Sequence, residues 1–145
     1  MEKQSKILFV DDSLDDIELT LTAFKECNLS ERVDIVCDGK EAIDYLLFRG
    51  QYANRKKTAP VIILLDLKMQ RLDGREVLKI IRKSKEYSCL PIVILSSSRM
   101  ETDIAQSYYY GANAYIIKPV DYKELVRVIR GIWYFWSELN TVPGM

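Results

Sequence analysis

The sequence predicts a doubly wound α/β fold, with five parallel strands in the order 2-1-3-4-5 and helices on both faces. Two observations carry this prediction. Five short apolar runs rich in β-branched residues alternate with five helical patterns along the 145 residues, which is the rhythm of successive βαβ units. The runs also end on polar residues: Asp11 and Asp12, Asp66, Ser96 and Lys118. In an open parallel sheet the carboxyl ends of the strands face the ligand crevice.

Residues 6–11, containing Ile7-Leu8-Phe9-Val10, form the first predicted strand. A helix over 14–28 follows, with Leu14, Ile17, Leu21 and Phe24 on one face and Ser13-x-x-Asp16 as a capping box. Residues 33–37 are the second strand. The spacing predicts a helix over 39–49, opened by Asp38-x-x-Glu41, with Ala42, Ile43, Leu46 and Leu47 inside. Residues 50–59 are polar and basic and read as a solvated loop. The third strand, 61–66, is continuously apolar until Asp66, the pattern of a strand buried on both faces. A helix over 74–84 begins after Asp73-Gly74, and Pro91-Ile92-Val93-Ile94-Leu95 is the fourth strand. A helix over 100–109 ends at Gly111, a C-terminal glycine. Residues 114–117 are the fifth strand, and the last helix runs 121–138, opened by Asp121-x-x-Glu124.

This strand order sets the ends of strands one and three side by side and gathers Asp11, Asp12 and Asp66. Two unit charges ~4 Å apart repel by about 1 kcal/mol in water and about 4 at an effective dielectric of 20. Three acids in one pocket therefore imply a cation, and hard oxygen ligands suit Mg2+.

Bulk properties narrow the function. Lys plus Arg and Asp plus Glu are both 21, so net charge offers no case for nucleic acid. The chain has no histidine. That excludes Ser-His-Asp and Cys-His nucleophile systems and His-based zinc sites. Cys27, Cys37 and Cys89 lie far apart and are odd in number, which points to a reducing cytoplasm rather than a disulfide framework. No apolar run is long enough for a membrane span, and residues 1–6 lead into a strand rather than a signal peptide. Residues 1–145 are expected to form a single domain.

Asp11-Asp12, Asp66, Ser96 and Lys118-Pro119, each at the end of its own strand, resemble the receiver domain of bacterial response regulators, the CheY-like fold. Each motif alone is common, but their order along nearly the whole chain is specific. The resemblance implies that Asp66 accepts a phosphoryl group from the phosphohistidine of a partner histidine kinase. It implies Mg2+ held by Asp11, Asp12, Asp66 and the backbone carbonyl of Lys68. Lys118 and Ser96 would contact the phosphoryl group, and Tyr115 would be the aromatic that reports the switch. The Lys118-Pro119 bond is usually cis in this family. Gln70 departs from the pattern, since the family usually has proline there, and a looser loop around the Lys68 carbonyl is expected.

The chain stops a few residues after the last predicted helix, so output is expected through a surface spanning strand four to helix five. Trp133, Tyr134, Phe135 and Trp136, with Tyr108-Tyr109-Tyr110 nearby, exceed what one covered helix face needs and suggest a homodimer or partner interface. The loop at 50–59, Asp73-Gly74-Arg75-Glu76-Val77-Leu78, Gly111-Ala112-Asn113-Ala114-Tyr115 and Ile132-Trp133-Tyr134-Phe135-Trp136 resemble small regulators partnered with bacterial phytochrome histidine kinases. Three other functions compete. A haloacid-dehalogenase-like phosphatase needs a D-x-D on strand one, where this chain has Asp11-Asp12-Ser13. In a flavodoxin-like carrier, Asp11-Asp12 would repel the FMN phosphate. A degenerate receiver acting only as an interaction module would not need Asp12, Asp66, Ser96 and Lys118.

Overall fold

A computed structural model describes residues 6–143, so the signal-peptide reading of residues 1–5 lies outside the described residues. Among them, five parallel strands form one sheet in the order β2-β1-β3-β4-β5, as predicted. The strands are β1 (Ile7–Val10), β2 (Val33–Val36), β3 (Ile62–Leu65), β4 (Ile92–Ser96) and β5 (Ala114–Ile117). The helices are α1 (Leu14–Glu26), α2 (Gly39–Leu46), α3 (Gly74–Lys83), α4 (Glu101–Tyr109) and α5 (Tyr122–Trp133).

Every residue of β1, β3 and β4 is buried, because helices cover both faces of a doubly wound sheet. Alternation along the strands splits the core in two. Leu8, Val10, Ile63, Leu65, Ile92 and Ile94 pack against α2 and α3. Ile7, Phe9, Ile62, Leu64, Val93 and Leu95 pack against α1 and α5.

The fourth helix is held differently. The buried side chains of α4 are Asp103 and Ser107, whereas α5 buries Leu125, Val126, Ile129 and Ile132.

The caps follow the sequence with two exceptions. The Asp16 N–H donates to Ser13 Oγ at 3.3 Å, but the Asp16 carboxylate turns away from the cap. Asp38 accepts from the Glu41 N–H at 2.8 Å, and Glu41 reaches back to the Cys37 N–H at 2.7 Å. Asp121 makes no side-chain cap, and Glu124, its partner in the expected capping box, pairs with Arg127. At the end of α4, the Ala112 and Gly111 N–H groups bond the Ser107 and Tyr108 carbonyls. This is a Schellman closure, with Gly111 at φ 108°.

Three expectations need correction. The second helix stops at Leu46 rather than 49, because Phe48 and Gly50 take positive φ and turn the chain into a short 3-10 turn, Gly50–Tyr52. The last α-helix ends at Trp133 and continues as π-helical turns over Tyr134–Leu139. The basic loop is also not simply solvated. The Arg55 guanidinium lies 3.8 Å from the Tyr45 ring centre and 4.2 Å from that of Phe48. It donates to the carbonyls of Tyr45, Lys56 and Thr58. One cation thus organises this turn by stacking and by satisfying backbone acceptors.

Candidate functional site

The site is built by the register at the carboxyl end of the sheet. Val10 of β1 lies beside Leu65 of β3, and the Asp66 N–H continues the ladder to the Val10 carbonyl at 3.0 Å. Asp11 and Asp66 are therefore neighbours. One oxygen from each of Asp11, Asp12 and Asp66 lies within 4.8 Å of the others. Across β4 and β5, the Lys118 N–H donates to the Ser96 carbonyl at 2.8 Å, which ties the last two strand ends together. Gly74 closes the site from below. A Cβ there would come within 2.3 Å of the Asp66 carbonyl, so the close approach of α3 to the end of β3 requires glycine.

The electrostatics are unbalanced. Asp11 is fully buried and Asp66 is 7% exposed. Lys118 Nζ lies 3.0 Å from Asp11, 2.7 Å from Asp16 and 3.7 Å from Asp66. Burial pushes the Asp66 carboxyl up to about 7 against the pull of Lys118, and Asp11 and Asp12 add to the rise. Burial also works against the Lys118 charge, but Asp16, Asp66 and Asp11 hold the ammonium above its ordinary range. One ammonium shared among these acids leaves negative charge over. Two carboxylate charges within 4.8 Å repel by at least about 3 kcal/mol at an effective dielectric of 20. This donor set, all hard oxygen and short of positive charge, fits a divalent cation.

The remaining predicted residues surround this cluster. Ser96 Oγ is fully buried and accepts from the Ser98 N–H at 3.2 Å. The Tyr115 hydroxyl donates to the Ser98 carbonyl at 2.9 Å, with its ring against the core. Lys68 extends its side chain to Asp103, at 3.4 Å. Gln70 donates its N–H to Asp12 Oδ2 at 3.0 Å. A proline there could not make this bond, so the departure at Gln70 ties the loop to an acid of the cluster.

No cis peptide bond occurs among the described residues, which corrects the expectation at Lys118-Pro119. With this bond trans, the default geometry, the Lys118 side chain still reaches inward to Asp11 and Asp16. The four terminal aromatics lie outside the site. Trp133 and Trp136 pack partly buried on the α1–α5 core, because the apolar stripe of α5 continues into the π-helical turns. Only Tyr134 and Phe135, 58% and 45% exposed, stand out from the surface.

Sequence reasoning missed Asp16 and Asp103. Asp16 passed as a cap partner, and nothing local reveals its ion pair with Lys118. Asp103 did carry a signal: it stands at an inward position of a helix that lacks an apolar stripe.

The response regulator receiver domain model matches residues 7–130. The chain belongs to the receiver domain family. Response regulator Rcp1 of Synechocystis is 36% identical over 138 residues, covering 95% of this chain and 92% of Rcp1. The probable methanogenesis regulatory protein FilR2 of Methanothrix harundinacea is 33% identical over 138 residues, covering 95% and 87%. The phosphorylated cyanobacterial phytochrome response regulator RcpA superposes with a TM-score of 0.86 at 38% identity, covering 97% of this chain and 99% of RcpA. A Mn2+-bound form of Rcp1 has been solved as well. It superposes at 0.83 with 35% identity, covering 97% and 99%. No helix among the described residues of this receiver is long and apolar enough to cross a membrane.

Proposed function

We propose that this receiver accepts a phosphoryl group on Asp66 from a histidine kinase, with Mg2+ as the cation. The observation that carries the reading is the crowding of Asp11, Asp12 and Asp66, with a single ammonium set against Asp11 and Asp66 and none against Asp12. Asp66 Oδ attacks phosphorus, the P–N bond of the donor phosphohistidine breaks, and the imidazole, already protonated at its other ring nitrogen, leaves as a neutral group. The product is an acyl phosphate on Asp66. Asp11, Asp12, Asp66 and the Lys68 carbonyl would hold Mg2+, which supplies neutralisation of both the carboxylate and the transferring phosphoryl group. Lys118 has only to slide from Asp16 toward Asp66 to meet the incoming oxygens. The Ser96 hydroxyl has a free hydrogen to donate to them, because it now only accepts.

The similarity to phytochrome response regulators supports a phytochrome-type kinase as the donor. Tyr108, Tyr109 and Val120, 50%, 83% and 100% exposed, support a homodimer or partner surface over α4 and the start of α5, with Tyr134 and Phe135 beyond. Light scattering across a concentration series tests the homodimer, and a monomer throughout removes it.

The test of the site is phosphorylation by acetyl phosphate, with and without Mg2+, read by intact mass. The expected result is a Mg2+-dependent gain of one phosphoryl group that Asp66→Asn abolishes. A gain that survives Asp66→Asn moves the acceptor elsewhere. No gain from either acetyl phosphate or a cognate kinase refutes the reading.

A further inference from the structure

Ser98 stands at the centre of the switch region, and all three of its polar groups are engaged. Its N–H donates to Ser96 Oγ at 3.2 Å, and its carbonyl accepts from the Tyr115 hydroxyl at 2.9 Å. Its own hydroxyl donates to Asp103 Oδ2 at 2.5 Å. Asp103 is 4% exposed and gathers two cations besides. Arg75 Nη1 of α3 lies 2.9 Å from one carboxylate oxygen, and Lys68 Nζ lies 3.4 Å from the other. A single buried carboxylate thus joins the loop after β3, helix α3, the loop after β4 and helix α4. The buried side chains of α4 are Asp103 and Ser107, and the Ser107 hydroxyl turns back to its own helix at the Asp103 carbonyl. The buried face of this helix is polar, and Asp103 is where it joins the rest of the molecule.

We propose that Asp103 is a positioning residue that latches the 96–98 loop in the resting arrangement. The proposal rests on the phosphoacceptor reading of Asp66. A phosphoryl group there attracts the Ser96 hydroxyl and weakens the acceptor for the Ser98 N–H. It also attracts Lys68, two residues away, whose contact with Asp103 is the longest of the three. Both pulls act on the latch and neither acts on the apolar core. Asp103 therefore binds the resting state better than the phosphorylated one, which is the differential contact a two-state switch requires. The carboxylate sets how much phosphoryl binding is needed to free Ser98 and, through its carbonyl, Tyr115.

The test uses the full chain labelled with fluorotyrosine and titrated with beryllofluoride and Mg2+ as a phosphoryl mimic. The Tyr115 19F resonance is assigned by its loss in Tyr115→Phe. In Asp103→Asn without beryllofluoride, that resonance is expected to move toward its saturated position, and the apparent Kd for beryllofluoride to fall about 3–10-fold. Ser98→Ala removes only a hydroxyl and is expected to shift both readouts in the same direction, so the proposal stays testable if Asp103→Asn folds poorly. A resonance and Kd unchanged in folded variants, or a weaker Kd, overturns the latch. A natural protein that shows no response to beryllofluoride overturns the phosphoacceptor reading itself and takes the latch with it.

Discussion

Asp66 and Asp103 are buried almost equally, at 7% and 4% exposed, yet their carboxyls are driven in opposite directions. Asp103 is held below its ordinary range, first by the Ser98 hydroxyl and then, against burial, by Lys68 and Arg75. Asp66 has one ammonium at 3.7 Å and two other carboxylates close by, and burial drives it up to about 7. Burial is the largest influence on Asp66, with only one ammonium to oppose it, whereas at Asp103 the Ser98 hydroxyl, Lys68 and Arg75 together outweigh burial, so the supply of donors decides the sign. A carboxylate with three donors is a finished structural joint. A carboxylate with too few is incomplete until a cation arrives, and that shortage marks a site.

The largest expected effect tests the deficient member. With EDTA present, Asp66→Asn is expected to stabilise the protein above pH 7 by about 4 kcal/mol, read by urea unfolding. The sign follows from linkage. The folded carboxyl titrates near 7 and the unfolded one near 3.8. Between those values the native state keeps a proton that the unfolded chain has released. The natural protein therefore loses stability as pH rises from about 4 to about 7 and is level above that. The gain from Asp66→Asn should be near zero at pH 4 and complete above pH 7. Adding Mg2+ at pH 8 should stabilise the natural protein and leave Asp66→Asn nearly unchanged. A variant that is less stable at pH 8 without metal breaks the comparison.

The satisfied member should behave in the opposite way. Asp103→Ala is expected to cost about 2 kcal/mol, because it strips acceptors from Ser98 and Lys68 while Arg75 keeps its paired contacts with Asp73. The folded carboxyl titrates below the unfolded one. The contribution is therefore present above the unfolded value of 3.8 and disappears as pH falls through the folded one. The gap between natural protein and Asp103→Asn should narrow in acid, while the gap to Asp66→Asn closes from the neutral side. Amide exchange should locate the Asp103 loss in α4, with α5 still protected by Ile129 and its neighbours.

The same difference explains what the sequence could tell. The strands were legible because burial on both faces leaves uninterrupted apolar runs, as in Ile62–Leu65. Asp11, Asp12 and Asp66 were legible because a charged residue that ends such a run has no apolar role. The further acid on Lys118 was not legible. Asp16 and Lys118 are 102 residues apart, and no local pattern reports such a pair. Trp136 shares a face with Leu125, Val128, Ile129 and Ile132 and packs on the core as that stripe implies, while Trp133, which falls outside the stripe in the sequence, is partly buried on the same core. Asp103 lies between these cases. A helix whose inward positions are Asp103 and Ser107 cannot be held by apolar burial, so a search for a polar joint follows from the sequence alone.

The capping aspartates extend the comparison to smaller effects. Asp38 accepts from the Glu41 N–H at one oxygen and from Arg71 at the other, at 2.8 and 2.9 Å. Asp38→Ala is expected to cost about 1 kcal/mol, since an orphan N–H at the start of α2 loses its acceptor. Asp121 also precedes a helix, but its carboxylate accepts nothing there and its side chain is exposed. Its only influence is the attraction of a negative charge to the N-terminus of α5, which salt screens. Asp121→Ala is expected to change stability by less than about 0.5 kcal/mol, and by less still in 1 M salt. A loss near that of Asp38→Ala, unchanged by salt, would mean that helix position rather than the supply of donors sets what an aspartate contributes here, and the contrast between Asp66 and Asp103 would need another cause.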